Sequence, residues 1–257
     1  MTLADLANQH NAHSFVVNSL GSRIAAGSPG PGTVLTLTGL EAEYGVSRTV
    51  IREAVRVLES HGMLTSRRRV GITVQPIDSW DVLDASVIHW RLACSEREQQ
   101  LVELMELRSA VEPVAARLAA TRATPAQRAR LMELAAVLEA EGHAARGNGP
   151  EFLRADNAFH ALLLQASGNP LLARLAGPVT EVLAGRIANN MVGGVPEPGT
   201  LEGHMAVAAG VQAGDGEGAE HASATLVHII ATEIRPETTA AVSTGKGTQD
   251  EDPEVRP

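Results

Sequence analysis

At 257 residues, 44% apolar and 20% charged, the chain is long enough for one large domain or two ordinary ones with a sizeable core. Its formal net charge of −9 excludes a protein that coats nucleic acid over its whole surface, an aromatic content of 2% argues against an aromatic-rich sandwich or barrel, and a single cysteine, Cys94, excludes internal disulfides and cysteine-based zinc sites. No apolar run approaches the ~18 residues of a membrane helix, and the opening MTLADLANQHNAHSFVV has neither a basic leader nor a long apolar stretch, so the chain reads as soluble and cytoplasmic with no membrane partner.

The charge is unevenly spread. Residues 1–76 hold seven arginines against five acids, about +2, whereas residues 77–257 hold 14 basic groups against 25 acids, about −11. In chain order, residues 1–13 are expected to be flexible. Phe15, Val16, Leu20, Ile24 and Ala25 recur at helical spacing before the Gly27–Gly32 run breaks the chain. Leu40–Tyr44 predicts a short second helix ending near Gly45, and Ser47 is a good N-cap for a third that runs to about His61, with Ile51, Ala54, Val55 and Leu58 on one face. Gly62 closes it. Two strand-like stretches follow, Met63–Ser66 and Ile72–Gln75, joined through Arg67–Gly71.

Beyond Pro76 the strand signal fades. Ser79–Trp90, Glu96–Thr121, Pro125–Ala145, Pro150–Ala166, Pro170–Met191, Gly203–Ala213 and Gly216–Ile234 each have helical period or composition, several with proline near the first turn. The predicted fold class is therefore mainly α: an N-terminal winged helix-turn-helix over residues 14–76, a linker helix over 77–95, and a C-terminal all-helical antiparallel bundle over 96–234. Residues 235–257, rich in Thr, Gly, Glu and Pro, predict a disordered tail.

The helix after Ser47 has the chemistry of a DNA reader. The first turn of a recognition helix enters the major groove, which places Arg48, Thr49 and Arg52 at base edges and phosphates, and arginine grips guanine O6 and N7 with two parallel bonds. Arg48, Arg52 and Arg56 are spaced i, i+4, i+8 with no acid on that stripe, a like-charge repulsion that an anionic partner would relieve. Arg67, Arg68 and Arg69 on the hairpin would hold the flanking backbone or minor groove.

The run GVSRTVIREAVRVLESHGML from Gly45 to Leu64, with Arg-Val-Gly-Ile-Thr-Val ending at Val74, resembles the GntR-type bacterial transcription regulators, in the FadR-like subfamily with a helical FCD-type ligand-sensing domain. In the second half, Glu106-Leu107-Arg108, Val111-Glu112-Pro113 and Ala115-Ala116 match the entry helix of that domain. Trp80–Asp84 with Val87–Trp90 resembles the linker helix of a branch that includes sugar-acid regulators. The resemblance spans about Phe15 to Ile234. It implies operator contacts at Arg48, Thr49, Arg52 and Gly71. It departs at Thr36-Leu37-Thr38, where relatives commonly carry Ser-Glu-Arg, so a DNA-contacting arginine is missing.

Asp156 and His160 lie four residues apart, about 40° around a helix, so a carboxylate and an imidazole both point at one ion. Such a pair suits zinc, the first choice here, and also nickel, manganese or iron. The resemblance adds His204 as the third ligand. Many relatives add a histidine on the last helix, but that register position is Leu226, and His228 lies about 200° away from it around the helix. For a carboxylate effector, Arg108 and Arg186 offer fixed positive charge and Asn189 or Asn190 offer hydrogen bonds. An ion pair between Arg108 and Glu112 is the plainer alternative for that arginine. Cys94, His61, His89, His143 and His221 read as structural or solvent-facing.

These features predict a homodimeric regulator, a repressor in sign, that binds an inverted-repeat operator and answers to a small carboxylic acid or sugar acid in a metal-containing pocket. Two alternatives stay open at this point: a metalloenzyme built on a two-His, one-Asp site, and a regulator in which the metal itself is the signal.

Overall fold

The computed structural model describes residues 3–188 and 193–234. Helix α1 (Leu3–Ala25) is followed by β1 (Val34–Leu35), α2 (Leu37–Tyr44), α3 (Arg48–Ser60), β2 (Leu64–Arg67) and β3 (Gly71–Val74). After a 3-10 turn (Ile77–Ser79) the chain is helical: α4 (Ala85–Leu92), α5 (Arg97–Arg122), α6 (Pro125–His143), α7 (Pro150–Ala166), α8 (Pro170–Arg174), α9 (Ala176–Ala188), α10 (Thr200–Ala213) and α11 (Gly216–Ile234). No helix among the described residues is long and apolar enough to cross a membrane.

Capping chemistry sets the reading helix. The Ser47 hydroxyl accepts from the Val50 N–H, and Gly45, left-handed at φ 64°, ends α2 and turns the chain into α3. Val50, Ile51, Ala54, Val55 and Leu58 bury one side of α3 against Val16, Leu20 and Ile24 of α1. The sheet has three strands in the order β1-β3-β2, both pairings antiparallel, with Arg67 opposite Gly71 at the wing tip. Strand β1 is too short to leave a periodic signal. Its fit depends on Gly71 at φ +115°, where a Cβ would stand 2.9 Å from the Leu35 carbonyl oxygen.

Several boundaries differ from the sequence expectation, among them the start of α2, which lies at Leu37 and not Leu40. Residues 3–13, expected to be flexible, continue α1 toward the N-terminus. The linker, expected to be helical from Ser79, is non-helical from Trp80 to Asp84 because it is pinned to the first domain. The Trp80 indole donates to the Gln75 carbonyl at 2.9 Å and the Asp81 N–H to the His61 carbonyl at 2.8 Å. Gly62, at φ +73°, lets the chain pass so closely that a Cβ there would meet Ser79 O at 2.0 Å. Asp84 then caps α4 by accepting from Ser86 and Val87. The single helix expected from Pro170 is divided into α8 and α9, since Pro178 has no N–H for the Arg174 carbonyl and its ring crowds that carbonyl. Helix α10 begins at Thr200, three residues before the expected start. The tail expected over residues 235–257 lies outside the described residues.

Helix α4 joins the two halves. Val87 and Trp90 belong to the core of the winged domain, while Ile88 and Leu92 pack with Leu101, Leu104 and Val227 of α5 and α11. Trp90 lies flat on Gly21 of α1, where a Cβ would sit 2.7 Å from the indole ring. The main core of the helical half gathers Leu131 and Leu138 of α6, Phe159 and Leu163 of α7, and Val207 and Val211 of α10.

Candidate nucleic-acid interface and buried carboxylate-imidazole cluster

Between α3 and the wing runs an open groove of about 760 Å³, lined by Arg48, Arg52 and Arg56 on one side and Arg67, Arg68 and Arg69 on the other. All six arginines are exposed. Gly71 lines the same groove, and Thr36–Thr38 of the β1–α2 corner close one end. Thr49 is exposed in the first turn of α3 but outside the groove lining. Arg56 is drawn to Glu53 at 2.7 Å, an acid the sequence placed on another face, and Arg48 Nε lies 3.9 Å from Glu41 Oε1. The Arg56–Glu53 pair is exposed and of small worth, the Arg48–Glu41 contact is long and joins an exposed arginine to a half-buried carboxylate, and Arg52 has no ion pair among the described residues. At the wing tip Arg69 adopts φ +66°, a left-handed backbone that a non-glycine residue rarely takes, and the turn is closed by the Val70 N–H donating to the Arg67 carbonyl.

The second constellation is buried in the helical half. Ala155, Phe159 and Leu163 anchor α7 in the core, which turns Asp156 and His160 inward, and His204 comes from the second turn of α10. His204 Nε2 lies 3.2 Å from Asp156 Oδ1 and 3.3 Å from His160 Nε2, and His160 Nε2 lies 3.7 Å from Asp156 Oδ1. His160 and His204 are 3% and 1% exposed. The Phe159 ring packs edge-on against both imidazoles.

Neighbouring acceptors fix where the ring protons lie. His204 Nδ1 faces the Thr200 carbonyl oxygen at 2.8 Å, and because a carbonyl only accepts, Nδ1 donates and Nε2 is left with its lone pair. His160 Nδ1 faces Glu112 Oε2 at 3.0 Å with the same consequence. With both rings neutral, two imidazole lone pairs and one carboxylate oxygen converge, a set that a divalent cation satisfies; with a ring protonated, its Nε2–H faces Asp156 Oδ1 instead. The separations of 3.2 and 3.3 Å suit donors around an ion at about 2.0–2.2 Å, which stand roughly 3.0–3.5 Å apart, and the third, at 3.7 Å, is slightly wider. The donor set fits a borderline divalent metal.

The electrostatics agree. Burial alone would raise the Asp156 carboxyl, but His160 and His204 outweigh it and hold it well below the ordinary range. Burial would depress His160, yet Glu112 and Asp156 overcome both burial and the opposing Arg108 charge and raise it above 6.5. Glu112 is fully buried and is still held at about 2 by Arg108 and His160, against an ordinary 4.5.

Arg108 is brought to this site. Its Nε donates to Glu112 Oε1 at 2.6 Å, and its Nη2 lies 3.0 and 3.2 Å from the two ring nitrogens of His160. An atom nearly equidistant from both nitrogens lies on neither lone-pair axis, so the guanidinium rests against the ring. Arg186 lies in α9, and Asn189 and Asn190 lie outside the described residues. Leu226 is 1% exposed and packs on Gly203, whereas His228 is exposed, so neither adds a ligand. The sequence marks Glu112 as part of the entry-helix match and as an ion partner for Arg108, not as a neighbour of His160. The four-residue spacing signals that pair, but the contact to His160 crosses from α5 to α7 and leaves no local pattern.

A winged helix-turn-helix joined to an all-helical domain with a carboxylate-imidazole cluster is the architecture of a DNA-binding transcription regulator with a separate helical domain. The bacterial gntR regulatory protein family matches residues 12–74, and the FCD domain matches residues 103–228. Among curated proteins, the HTH-type transcriptional regulator YieP of Escherichia coli (strain K12) is 33% identical over 68% of this chain and 76% of its own. The galactonate operon transcriptional repressor of the same organism is 29% identical over 84% of this chain and 94% of its own. A solved structure of Lar, described as controlling the Listeria monocytogenes agr system, shares the fold with a TM-score of 0.54 at 18% identity, over 86% of this chain and 95% of that one. The chain belongs to the GntR family of DNA-binding transcription regulators and carries an FCD domain. These matches set aside the metalloenzyme alternative.

Proposed function

We propose that this regulator is a homodimeric repressor of the cytoplasm that binds an inverted-repeat operator and releases it when a small carboxylic acid, of the sugar-acid class, enters the helical half beside a divalent metal. The observation that carries the metal reading is the convergence of the half-buried Asp156 carboxylate with the buried His160 and His204 imidazoles at one point. When bound, the metal supplies a Lewis-acidic centre with open positions for the oxygens of an acid. Arg108 stands against the His160 ring as a fixed positive group for the carboxylate, with Arg186 and Asn190 as further candidates from their place in and after α9. The galactonate repressor among the relatives supports both repression and the effector class.

On the DNA side, Arg48 and Arg52 read base edges, Thr49 and the wing residues Arg67, Arg68, Arg69 and Gly71 hold phosphates or the minor groove, and two copies one helical turn apart read a palindrome. The working units are residues 14–76 for reading, 77–95 for connection and 96–234 for sensing. Because α4 belongs to both cores, a shift of the sensing helices would change the setting of the reading helices, which is the two-state coupling a ligand needs to bias.

The test is operator release measured by fluorescence anisotropy on DNA from the regulator's own promoter. Metal-stripped and zinc-loaded protein are each challenged with galactonate and related sugar acids. Release that needs both zinc and one acid supports the reading. Release by zinc alone makes the protein a metal sensor, and equal release from stripped protein removes the metal from the effector site.

A further inference from the structure

We propose that Glu112 is a positioning residue that holds His160 in the one tautomer able to bind a metal. The inference rests on the metal-site reading above and concerns a residue outside the three ligands.

Glu112 is 0% exposed, and both of its oxygens are committed: Oε1 accepts from Arg108 Nε at 2.6 Å and Oε2 faces His160 Nδ1 at 3.0 Å. A buried carboxylate carries a desolvation penalty of several kcal/mol, and apolar replacement of a purely structural buried pair is often neutral or stabilising. Its geometry gives it a further task. A neutral imidazole has one N–H. Glu112 accepts it at Nδ1, which turns the Nε2 lone pair toward Asp156 Oδ1 and His204 Nε2, at 3.7 and 3.3 Å. His204 needs no such acid, because its own helix supplies the Thr200 carbonyl at 2.8 Å. The backbone thus sets one ligand's tautomer and a side chain from α5 sets the other's.

Glutamine at this position nearly preserves shape and inverts the chemistry. With its oxygen kept on Arg108, the amide donates toward Nδ1, and His160 must accept there and carry its proton on Nε2, where the ion would sit. With the amide rotated, its N–H2 confronts the buried Arg108 N–H instead. Either way one of the two links is lost. Aspartate keeps an acceptor-only group and restores part of the arrangement.

The experiment compares wild type, Glu112→Gln and Glu112→Asp as full-length protein. Zinc affinity is read by competition with a chromophoric chelator, cobalt coordination by its visible absorption, and the His160 tautomer by ¹⁵N-histidine NMR on metal-free protein at a pH alkaline enough to leave the ring neutral. The expected result is an Nδ1–H ring in wild type, a 10- to 100-fold loss of zinc affinity in Glu112→Gln with circular dichroism unchanged, and a smaller loss in Glu112→Asp. Zinc binding by Glu112→Gln within twofold of wild type, or an Nε2–H ring in metal-free wild type, overturns the proposal. The wild-type tautomer decides it even if Glu112→Gln does not fold. If wild type takes up neither zinc nor cobalt, the metal-site reading falls, and the tautomer measurement separately shows whether Glu112 orders the ring.

Discussion

His160 Nε2 and His204 Nε2 stand 3.3 Å apart in a buried site, each ring having given its proton to an acceptor on its other side. Two lone pairs at that separation repel unless a cation lies between them. In the metal-free protein burial disfavours a charged His160, but Glu112 and Asp156 overcome it, and His160 binds its proton more tightly than an ordinary histidine does.

The pH dependence of metal binding follows. Metal must displace the His160 proton, so zinc affinity is expected to fall as pH is lowered, with the decline beginning above pH 6.5. The metal-free fold shows the complementary trend. A raised histidine value stabilises the fold below 6.5, and that stabilisation is lost as pH rises through the folded-state value. Zinc titrations between pH 6 and 8, with thermal melts of stripped protein over the same range, check both signs, and zinc affinity that is flat with pH would contradict them.

Glu112 governs the acid side. Held at about 2 instead of 4.5, it contributes stability that is fully present above 4.5 and is lost as pH falls toward 2. The contribution is on the order of 3 kcal/mol. Urea melts from pH 5 to pH 3 should show stability falling in wild type and a flatter profile in Glu112→Gln. Parallel profiles would assign acid sensitivity to other carboxylates.

The wing separates charge from shape. Arg69→Gly relieves a left-handed backbone worth about 1–2 kcal/mol while removing one phosphate-facing charge. The variant should melt higher than wild type yet bind operator more weakly, with the salt slope reduced by about 1. Arg48→Ala, in contrast, should cost about 1–3 kcal/mol and relax base preference at its contact. Anisotropy titrations on operator and scrambled DNA at several salt concentrations distinguish the two behaviours. Unchanged operator affinity for Arg48→Ala would remove α3 as the reading helix.

The Gly21–Trp90 contact is the most direct test of the connection between the halves. A methyl group on Gly21 would press into the face of the indole, 2.7 Å from a ring carbon, so Gly21→Ala must displace α4 or α1. The expected cost is about 1–3 kcal/mol of stability, together with altered operator affinity although position 21 is remote from the groove. Wild-type melting and operator binding by this variant would show that α4 tolerates displacement without consequence to the reader.

Local chemistry made much of this protein readable from the sequence. Ser47, Gly45 and the apolar face of α3 specify a helix whose exposed side carries arginines, and the four-residue spacing of Asp156 and His160 puts both on one face of α7, because caps and helical periods act over a few residues. Tertiary packing decided the rest. β1 exists only through its pairing with β3, the linker is non-helical at Trp80–Asp84 because His61 and Gln75 hold it, and Pro178 divides what composition alone reads as one helix. The cluster around His160 shows the limit most clearly. Its ligands have a recognisable spacing, but its proton position depends on Glu112 from α5 and its partner nitrogen on α10. Such contacts join residues 48 and 44 positions apart, which no local pattern encodes.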